Sequence, residues 1–390
     1  MSKLQELIQK LCPNGVEYKK LETVCELSRG KVYSKTYITA NAGDYPVYSS
    51  QTANNGELGR ISTYDYDGEY LTWTTDGAYA GTIFHRKGKF CITNVCGLIA
   101  VKSPDILNIR FLYYWLSIKA QDYVYRGMGN PKLMSNQIAP IEIPIPPLEV
   151  QEEIVRILDN FTNLAAELQA ELQARQEQYE YYRNKLLTFN ELNGVGQSVT
   201  WMKMSEIGEI CMCKRITKDQ TNNIDGVPFY KIGTFGKVAD AYISRDLYED
   251  YKSRFSFPRK GEILISASGT IGRTVVYDGR DAYFQDSNIV WVHNDETKVL
   301  NKYLYHYYQV IEWEVEGGTI KRLYNNNLAK TKIVVPPISE QEHIVSILDK
   351  FETLVNDLTE GLPAEMAAVQ EQYEYYRNKL LSFPRTKISA

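Results

Sequence analysis

Gln176-Glu177-Gln178-Tyr179-Glu180-Tyr181-Tyr182-Arg183-Asn184-Lys185-Leu186-Leu187 occurs twice in this chain: the same twelve residues return unchanged from Gln370 to Leu381. An identical block of that length is a duplication, and a long-period repeat is read before local propensity. Upstream of each copy lies a second match. Pro146-Pro147-Leu148-x-x-Gln151-Glu152-x-Ile154-Val155-x-Ile157-Leu158-Asp159-x-Phe161 returns as Pro336-Pro337-Ile338-x-x-Gln341-Glu342-x-Ile344-Val345-x-Ile347-Leu348-Asp349-x-Phe351. The upstream matches are offset by 190 residues and the block by 194, so the second copy carries four extra residues.

Each Pro-Pro ends the preceding element, because proline fixes φ and has no N–H to donate. Behind the first one, Ile154, Ile157, Phe161, Leu164, Leu168, Leu172, Arg175, Tyr179, Tyr182, Leu186 and Phe189 recur every three or four residues. That spacing predicts one amphipathic helix with a coiled-coil seam. Over 148–189 it would run about 63 Å at 1.5 Å per residue, too long for one small globule to cover. Its partner should be the other copy. There the insertion brings Gly361 and Pro363 into the stripe, which predicts a kink near 359–364.

The 390 residues suffice for two or more domains. The repeat divides them into 1–147 and 196–337, two globules, and 148–195 and 338–390, two long spacer helices. No stretch is apolar enough to span a bilayer, and no signal peptide opens the sequence. The six cysteines show no zinc-like spacing and read as free thiols of a cytoplasmic protein. The net charge of −4 is unevenly spread. Residues 1–147 hold 16 Lys and Arg against 13 Asp and Glu, and 196–337 hold 19 against 17. The helical segments hold 4 against 9 and 5 against 9. Weakly basic globules permit nucleic-acid binding without proving it.

Both globules read as α+β. Short runs at Tyr45–Tyr48, Glu69–Thr74 and Phe90–Val101, and at Phe229–Ile232, Glu262–Ser266, Thr274–Tyr277 and Asn288–Val292, predict strands. Aromatic helices are expected over Ile109–Lys119 and Asn301–Val310. The globules match each other only weakly, at Thr75–Thr82 with Ala267–Thr274 and at Asn136–Ile138 with Asn326–Leu328. A kept scaffold with diverged globules suits helices that do one common job and globules that read two different things. There is no GxxxxGK[ST] loop, no GxGxxG, no Asn/Asp-Pro-Pro-Tyr/Phe motif and no metal-site spacing.

The two Pro-Pro-x-x-x-Gln-x-x-Ile helix starts and the two Gln-Tyr-Glu-Tyr-Tyr-Arg-x-Lys-Leu-Leu blocks resemble the specificity subunits of type I restriction–modification enzymes, over nearly the whole chain. The resemblance implies two target-recognition domains separated by two long antiparallel helices around a pseudo-twofold axis. It implies double-stranded DNA as ligand, with two methyltransferase subunits docked on the helices and restriction subunits outside them. Chemistry would reside in those partners, which would hold S-adenosylmethionine, ATP and Mg; this chain would have no catalytic residue, cofactor or metal. Alone, it is expected to be a monomer or to self-associate weakly.

Base-edge readout needs side chains with paired donors and acceptors on loops. In the first globule these are Ser49, Ser50, Gln51, Thr52, Asn54 and Asn55, with Thr74, Thr75, Asp76 and Tyr79 on a glycine-rich loop. In the second they are Lys231, Thr234, Lys237, Ser266, Ser268, Thr270 and Arg273. Lys132, Lys321 and Arg322 suit phosphate. Tyr179, Tyr182 and Arg183, with Tyr373, Tyr376 and Arg377, are the candidates for docking partner subunits. Two other readings stay open from the residues alone: a self-contained DNA methyltransferase, which would need a cofactor motif, and a DNA-binding or coiled-coil scaffold unrelated to restriction.

Overall fold

The structure, a computed structural model, describes residues 3–127, 129–189, 199–318 and 321–386. The chain forms two compact units, one from residues 1–168 and 366–390, the other from 169–365. Each therefore combines one globule with part of a helix from both copies. No described helix is long and apolar enough to cross a membrane.

In the first unit a six-stranded sheet has the order Cys25–Arg29, Cys96–Val101, Tyr66–Thr74, Ile83–Ile92, Ala42–Tyr48, Glu57–Ile61. Neighbours are antiparallel except Ala42–Tyr48, which runs parallel to Ile83–Ile92 with Val47 opposite Cys91. The expected run Phe90–Val101 is in fact the end of one strand and the whole of the next. Thr93 to Cys96 forms the turn between them, closed by the Cys96 N–H on the Thr93 carbonyl at 3.0 Å. Without Gly or Pro, that turn left little trace in the sequence. The aromatic helix Ile109–Lys119, capped by the Asn108 side chain, buries Phe111, Leu112 and Leu116 against Leu71, Trp73 and Ile99 of the sheet and Ile154 and Leu158 of the long helix.

The second unit holds two four-stranded sheets. One has the order Gly208–Cys211, Ile289–Asn294, Ile263–Ser266, Thr274–Val276; the other Thr221–Asn222, Tyr242–Ile243, Val227–Tyr230, Tyr283–Phe284. Its aromatic helix, Asn301–Tyr307, packs Tyr303 and Leu304 with Ile265, Val290, Ile344 and Leu348.

Both units begin and end alike. Glu17–Lys20 pairs antiparallel with Glu142–Ile145, and Thr200–Lys203 with Lys332–Val335, so the strand entering a globule is stitched to the strand leaving it. The leaving strand runs into Pro-Pro, and the helix starts at once. The duplicated glutamine locks this corner. Gln151 is fully buried; its amide donates to the carbonyls of Pro146 at 2.7 Å and Ile106 at 2.8 Å, and its oxygen accepts the Asn108 N–H at 2.8 Å. Gln341 repeats the pattern with Pro336 at 2.8 Å, Lys298 at 2.9 Å and the Leu300 N–H at 2.8 Å.

The first long helix spans Leu148–Leu187 without interruption. The second is broken into Ile338–Asn356 and Leu362–Leu380. Asp357 accepts the N–H groups of Thr359 and Glu360 at 2.7 and 3.2 Å, which turns the chain out of the helix. A Cβ on Gly361 would lie 2.4 Å from the Thr353 carbonyl, so the break requires glycine. The partner of each helix is the other copy, as the spacing predicts. In the first unit Phe161 meets Tyr373 and Tyr376 at 6.4 and 5.6 Å between ring centroids. In the second, Phe351 meets Tyr179 and Tyr182 at 6.2 and 5.6 Å.

We expect Gln341→Leu, close in volume, to strand three buried polar groups and to cost about 3 kcal/mol, since each orphaned group costs about 1–3 kcal/mol. Urea unfolding checks this; an unchanged midpoint would refute the corner lock. A second expectation concerns acid. The Arg156 hydrogen bonds, opposed by burial and aided by Lys3, hold the Glu153 carboxyl down from 4.5 to about 2. A depressed carboxyl stabilises the fold above its ordinary pKa and loses that contribution as pH falls through the folded value. Unfolding midpoints of Glu153→Gln should therefore fall less steeply than those of the parent between about pH 4.5 and pH 2.

Candidate nucleic-acid interface

In the first unit the strand Ala42–Tyr48 opens into the loop 49–56. The Ser49 N–H closes it on the Gly56 carbonyl at 2.9 Å, and the Gln51 side chain donates to the Glu57 carbonyl. Ser50 and Thr52 are half-buried, whereas Asn54 and Asn55 form the exposed tip, both left-handed at φ 49° and 52°. Arg86, buried beneath the tip, donates to the Asn55 carbonyl at 2.8 Å.

The glycine-rich loop that follows Tyr66–Thr74 is built differently from what its composition suggests. Thr74 and Thr75 are buried, and their hydroxyls act inward. Thr74 donates to the Tyr79 carbonyl at 2.5 Å and accepts the Thr82 N–H at 3.0 Å; Thr75 donates to the Val95 carbonyl at 2.8 Å. They shape the loop and present nothing to solvent. Tyr79, 65% exposed, is its outward residue. Lys132 is brought alongside through backbone bridges to Asp76 and Tyr125, and its own side chain is exposed.

The second unit rebuilds the same ladder. Arg322 bridges Ser268 and Glu316, and the Leu323 N–H meets the Ala267 carbonyl at 2.9 Å just as Leu133 meets Thr75 at 2.9 Å. Ser266 takes the part of Thr74: buried, it donates to the Thr270 carbonyl and accepts the Arg273 N–H at 2.9 Å. What differs is the rim. Ser268 donates to Asn288 at 2.8 Å; Arg322 donates to the Ser287 carbonyl at 2.7 Å and to Asn288 at 3.1 Å. Arg322 is thereby a bracing residue, while the neighbouring Lys321 is exposed. Arg273 donates to the Phe235 carbonyl at 2.9 Å and to the Thr270 hydroxyl at 3.1 Å, which ties the two loops of this globule together. Lys231 pairs with Asp240 at 2.8 Å, Thr234 closes its own turn on Lys231, and Lys237 is exposed.

The helix residues expected to dock partners are largely engaged within the chain. Tyr179 is buried against Phe351 and lies 3.4 Å from His306; Arg183 donates to Gln309 at 2.7 Å. Tyr373 and Arg377 are half-buried, Arg377 lying over the Tyr373 ring. Tyr376, which the spacing did single out, is 40% exposed, but the most outward tyrosines of the repeated block are ones it did not. Tyr181 is 58% exposed beside Lys185, and Tyr375 is 59% exposed beside Lys379.

Among the described residues, His306, Asp349 and Glu352 bring possible metal-ligand atoms within 4.8 Å of one another. The cluster is already satisfied. Burial disfavours the charged Asp349 carboxyl, yet Lys302 and His306 outweigh it and hold its pKa below the usual value, and Tyr305 donates to Glu352 at 2.5 Å. The Lys302 ammonium and the Tyr305 hydroxyl already supply positive charge and a donor to these carboxylates, so the cluster is held together by its own ion pair and hydrogen bonds.

Comparison with known proteins follows the same division. A family model for the type I restriction modification DNA specificity domain matches residues 13–177 and again 198–368. A Haemophilus influenzae protein named for a type I restriction enzyme specificity subunit is 47% identical, with 98% of this chain and 100% of that protein covered. A Mycoplasma pneumoniae protein named for a type I specificity subunit is 33% identical over 93% of this chain and 97% of its own. Among solved structures, the type I restriction–modification S subunit from M. genitalium aligns with a TM-score of 0.57 at 14% identity, over 95% of this chain and 96% of that one.

Proposed function

Since this chain belongs to the type I restriction modification DNA specificity family, we propose that it reads a split, asymmetric double-stranded DNA site, one half with each globule. Members of this family are recognition subunits rather than catalysts, and sequence recognition on DNA is this chain's role. The finer reading assigns 1–147 and 196–337 to two recognition domains and 148–195 and 338–390 to the spacer between them. The observation that carries it is the rebuilt ladder. Thr74 and Ser266, Asp76 and Ser268, Lys132 and Arg322 hold the same backbone positions, while the exposed rim changes from Tyr79 and Tyr125 to Thr270 and Lys321. A common frame with different tips is what two readers of different sequences require.

On this reading Asn54, Asn55, Tyr79 and Lys132 in one globule, and Thr270, Lys237 and Lys321 in the other, face the duplex. Ser49, Ser50, Gln51, Thr52, Thr74, Thr75, Asp76, Lys231, Thr234, Ser266, Ser268, Arg273 and Arg322 hold the loops. Half-sites read from one side of the duplex are centred about one turn, roughly 34–36 Å, apart. Methyltransferase subunits would dock on the helices, with restriction subunits beyond them, and S-adenosylmethionine, ATP and Mg would belong to those cytoplasmic partners. The exposed pairs Tyr181 with Lys185 and Tyr375 with Lys379 are the docking points this structure favours, because Tyr179 and Tyr182 already cover Phe351.

Exchanging residues 45–82 for those of another specificity subunit should alter one half-site only. Genome-wide mapping of methylated adenines reads this directly, and a change in both halves would refute independent readers. Docking has its own test. Tyr181→Ala with Lys185→Ala should weaken capture of a methyltransferase subunit roughly tenfold, about 1.4 kcal/mol, without lowering the unfolding midpoint. Sedimentation titration measures the affinity; unchanged capture would move the docking face elsewhere.

A further inference from the structure

Arg86 is a charged residue with no charged partner. It is 3% exposed, and among the described residues no carboxylate forms an ion pair with it. Its guanidinium lies over the Tyr48 ring at 3.6 Å and the Phe84 ring at 4.4 Å. It donates from Nε to the Thr72 hydroxyl at 3.2 Å and from Nη2 to the Asn55 carbonyl at 2.8 Å. Burying an arginine in this way is costly unless its hydrogen bonds and ring contacts offset the lost hydration. A Leu or Met would fill the space more cheaply, so a sheet interior alone gives no reason for the charge.

The reason lies above it. Asn54, Asn55 and Gly56 are three consecutive left-handed residues, at φ 49°, 52° and 78°. Two adjacent non-glycine residues in that region are strained and persist only where the surroundings hold them. Arg86 holds them from below, beside the Ser49 and Gln51 bonds that close the loop: its Nη2 grips the Asn55 carbonyl, and a Cβ on Gly56 would come within 3.1 Å of that same nitrogen. The tip that results is exposed, and among the described residues neither asparagine side chain has a partner. A free carboxamide offers an acceptor beside a donor, which complements N6–H and N7 of adenine in the major groove. Among the described residues the second globule has no counterpart: its loop after Val227–Tyr230 is held by Gln285, which accepts the Ile232 N–H at 2.9 Å.

We propose that Asn54 and Asn55 form a preset tip that reads adenine in the half-site of the first globule, with Arg86 as its positioning residue. This rests on the reading of that globule as a DNA reader. The test uses the full chain assembled with its methyltransferase partners and selection of bound sequences from random duplexes, for the parent, the Asn54→Ala/Asn55→Ala variant, Asn55→Asp and Arg86→Lys. The double alanine should lose roughly 10- to 100-fold discrimination for adenine at one or two positions of one half-site. Asn55→Asp, which can only accept, should shift one of them towards cytosine. Arg86→Lys keeps the charge but not the fork, and should blur the same positions while the other half-site stays intact.

If the asparagine variants keep the parental preferences while the 45–82 exchange still changes the half-site, the adenine tip is wrong and the DNA reading survives. If the exchange also changes nothing, the DNA reading itself falls. If Arg86→Lys erases the whole half-site instead of blurring the asparagine positions, Arg86 is a general support and not the positioning residue.

Discussion

The architecture depends on one buried carboxamide, used twice. Gln151 and Gln341 each hold a Pro-Pro carbonyl, a loop carbonyl and the N–H at the start of an aromatic helix. Proline supplies no donor there, so the corner's own backbone cannot satisfy those groups, and water is excluded. A side chain with one acceptor and two donors is the least that will serve. The corner ties the first turn of each long helix to the leaving strand and the aromatic helix of its own globule. A buried polar requirement thus constrains the geometry more tightly than the apolar stripe, which tolerates exchange among residues of similar volume.

About two turns beyond the corner the same economy of position appears with changed chemistry. Asp159 accepts from Arg110 and from Tyr114 at 2.5 Å, and Asp349 accepts from Lys302 and from His306 at 2.8 Å. The donors are four residues apart in both aromatic helices and so share a face. The carboxylate is retained and its partners vary, because a carboxylate accepts from any cation or hydroxyl presented at that spot. The packing problem was solved once and its details drifted. In the ladders the backbone pairing is kept while side chains change both at the rim and beneath it, where buried Thr75 is matched by buried Ala267.

Much of this was legible in the sequence. The repeat, the long helix, the break at Gly361 and the two aromatic helices all rest on strong periodicity or on proline and glycine, which act locally. What escaped was decided by tertiary context. Thr74, Thr75 and Ser266 looked like loop hydroxyls open to bases, yet glycine-rich loops need inward hydrogen bonds to hold their shape, and these hydroxyls supply them. Arg86 stands in an ordinary alternating strand, and nothing local marks it as the support of a loop some thirty residues earlier. In the repeated block, the three- and four-residue steps identified Tyr179 and Tyr182 correctly as seam residues, and internal packing leaves Tyr179 buried and Tyr182 half-buried.

That last point bears on why the block is identical in both copies. The inward residues Tyr179 and Tyr373 meet Phe351 and Phe161, and packing alone would accept Phe or Leu at such places. The outward residues Glu180, Tyr181 and Lys185 match Glu374, Tyr375 and Lys379 although they are exposed. Exposed helix positions free of other duties drift readily, since most surface substitutions change stability by less than about 0.5 kcal/mol. The globules have drifted far since the duplication, so recent origin does not account for the identity. Two constraints acting on opposite faces of one helix do: an inner face held by the other copy, and an outer face held by something that meets both copies in the same way. On the proposed reading, a partner subunit present twice, with one binding surface, would impose that second constraint and would leave the two globules free to diverge into different readers.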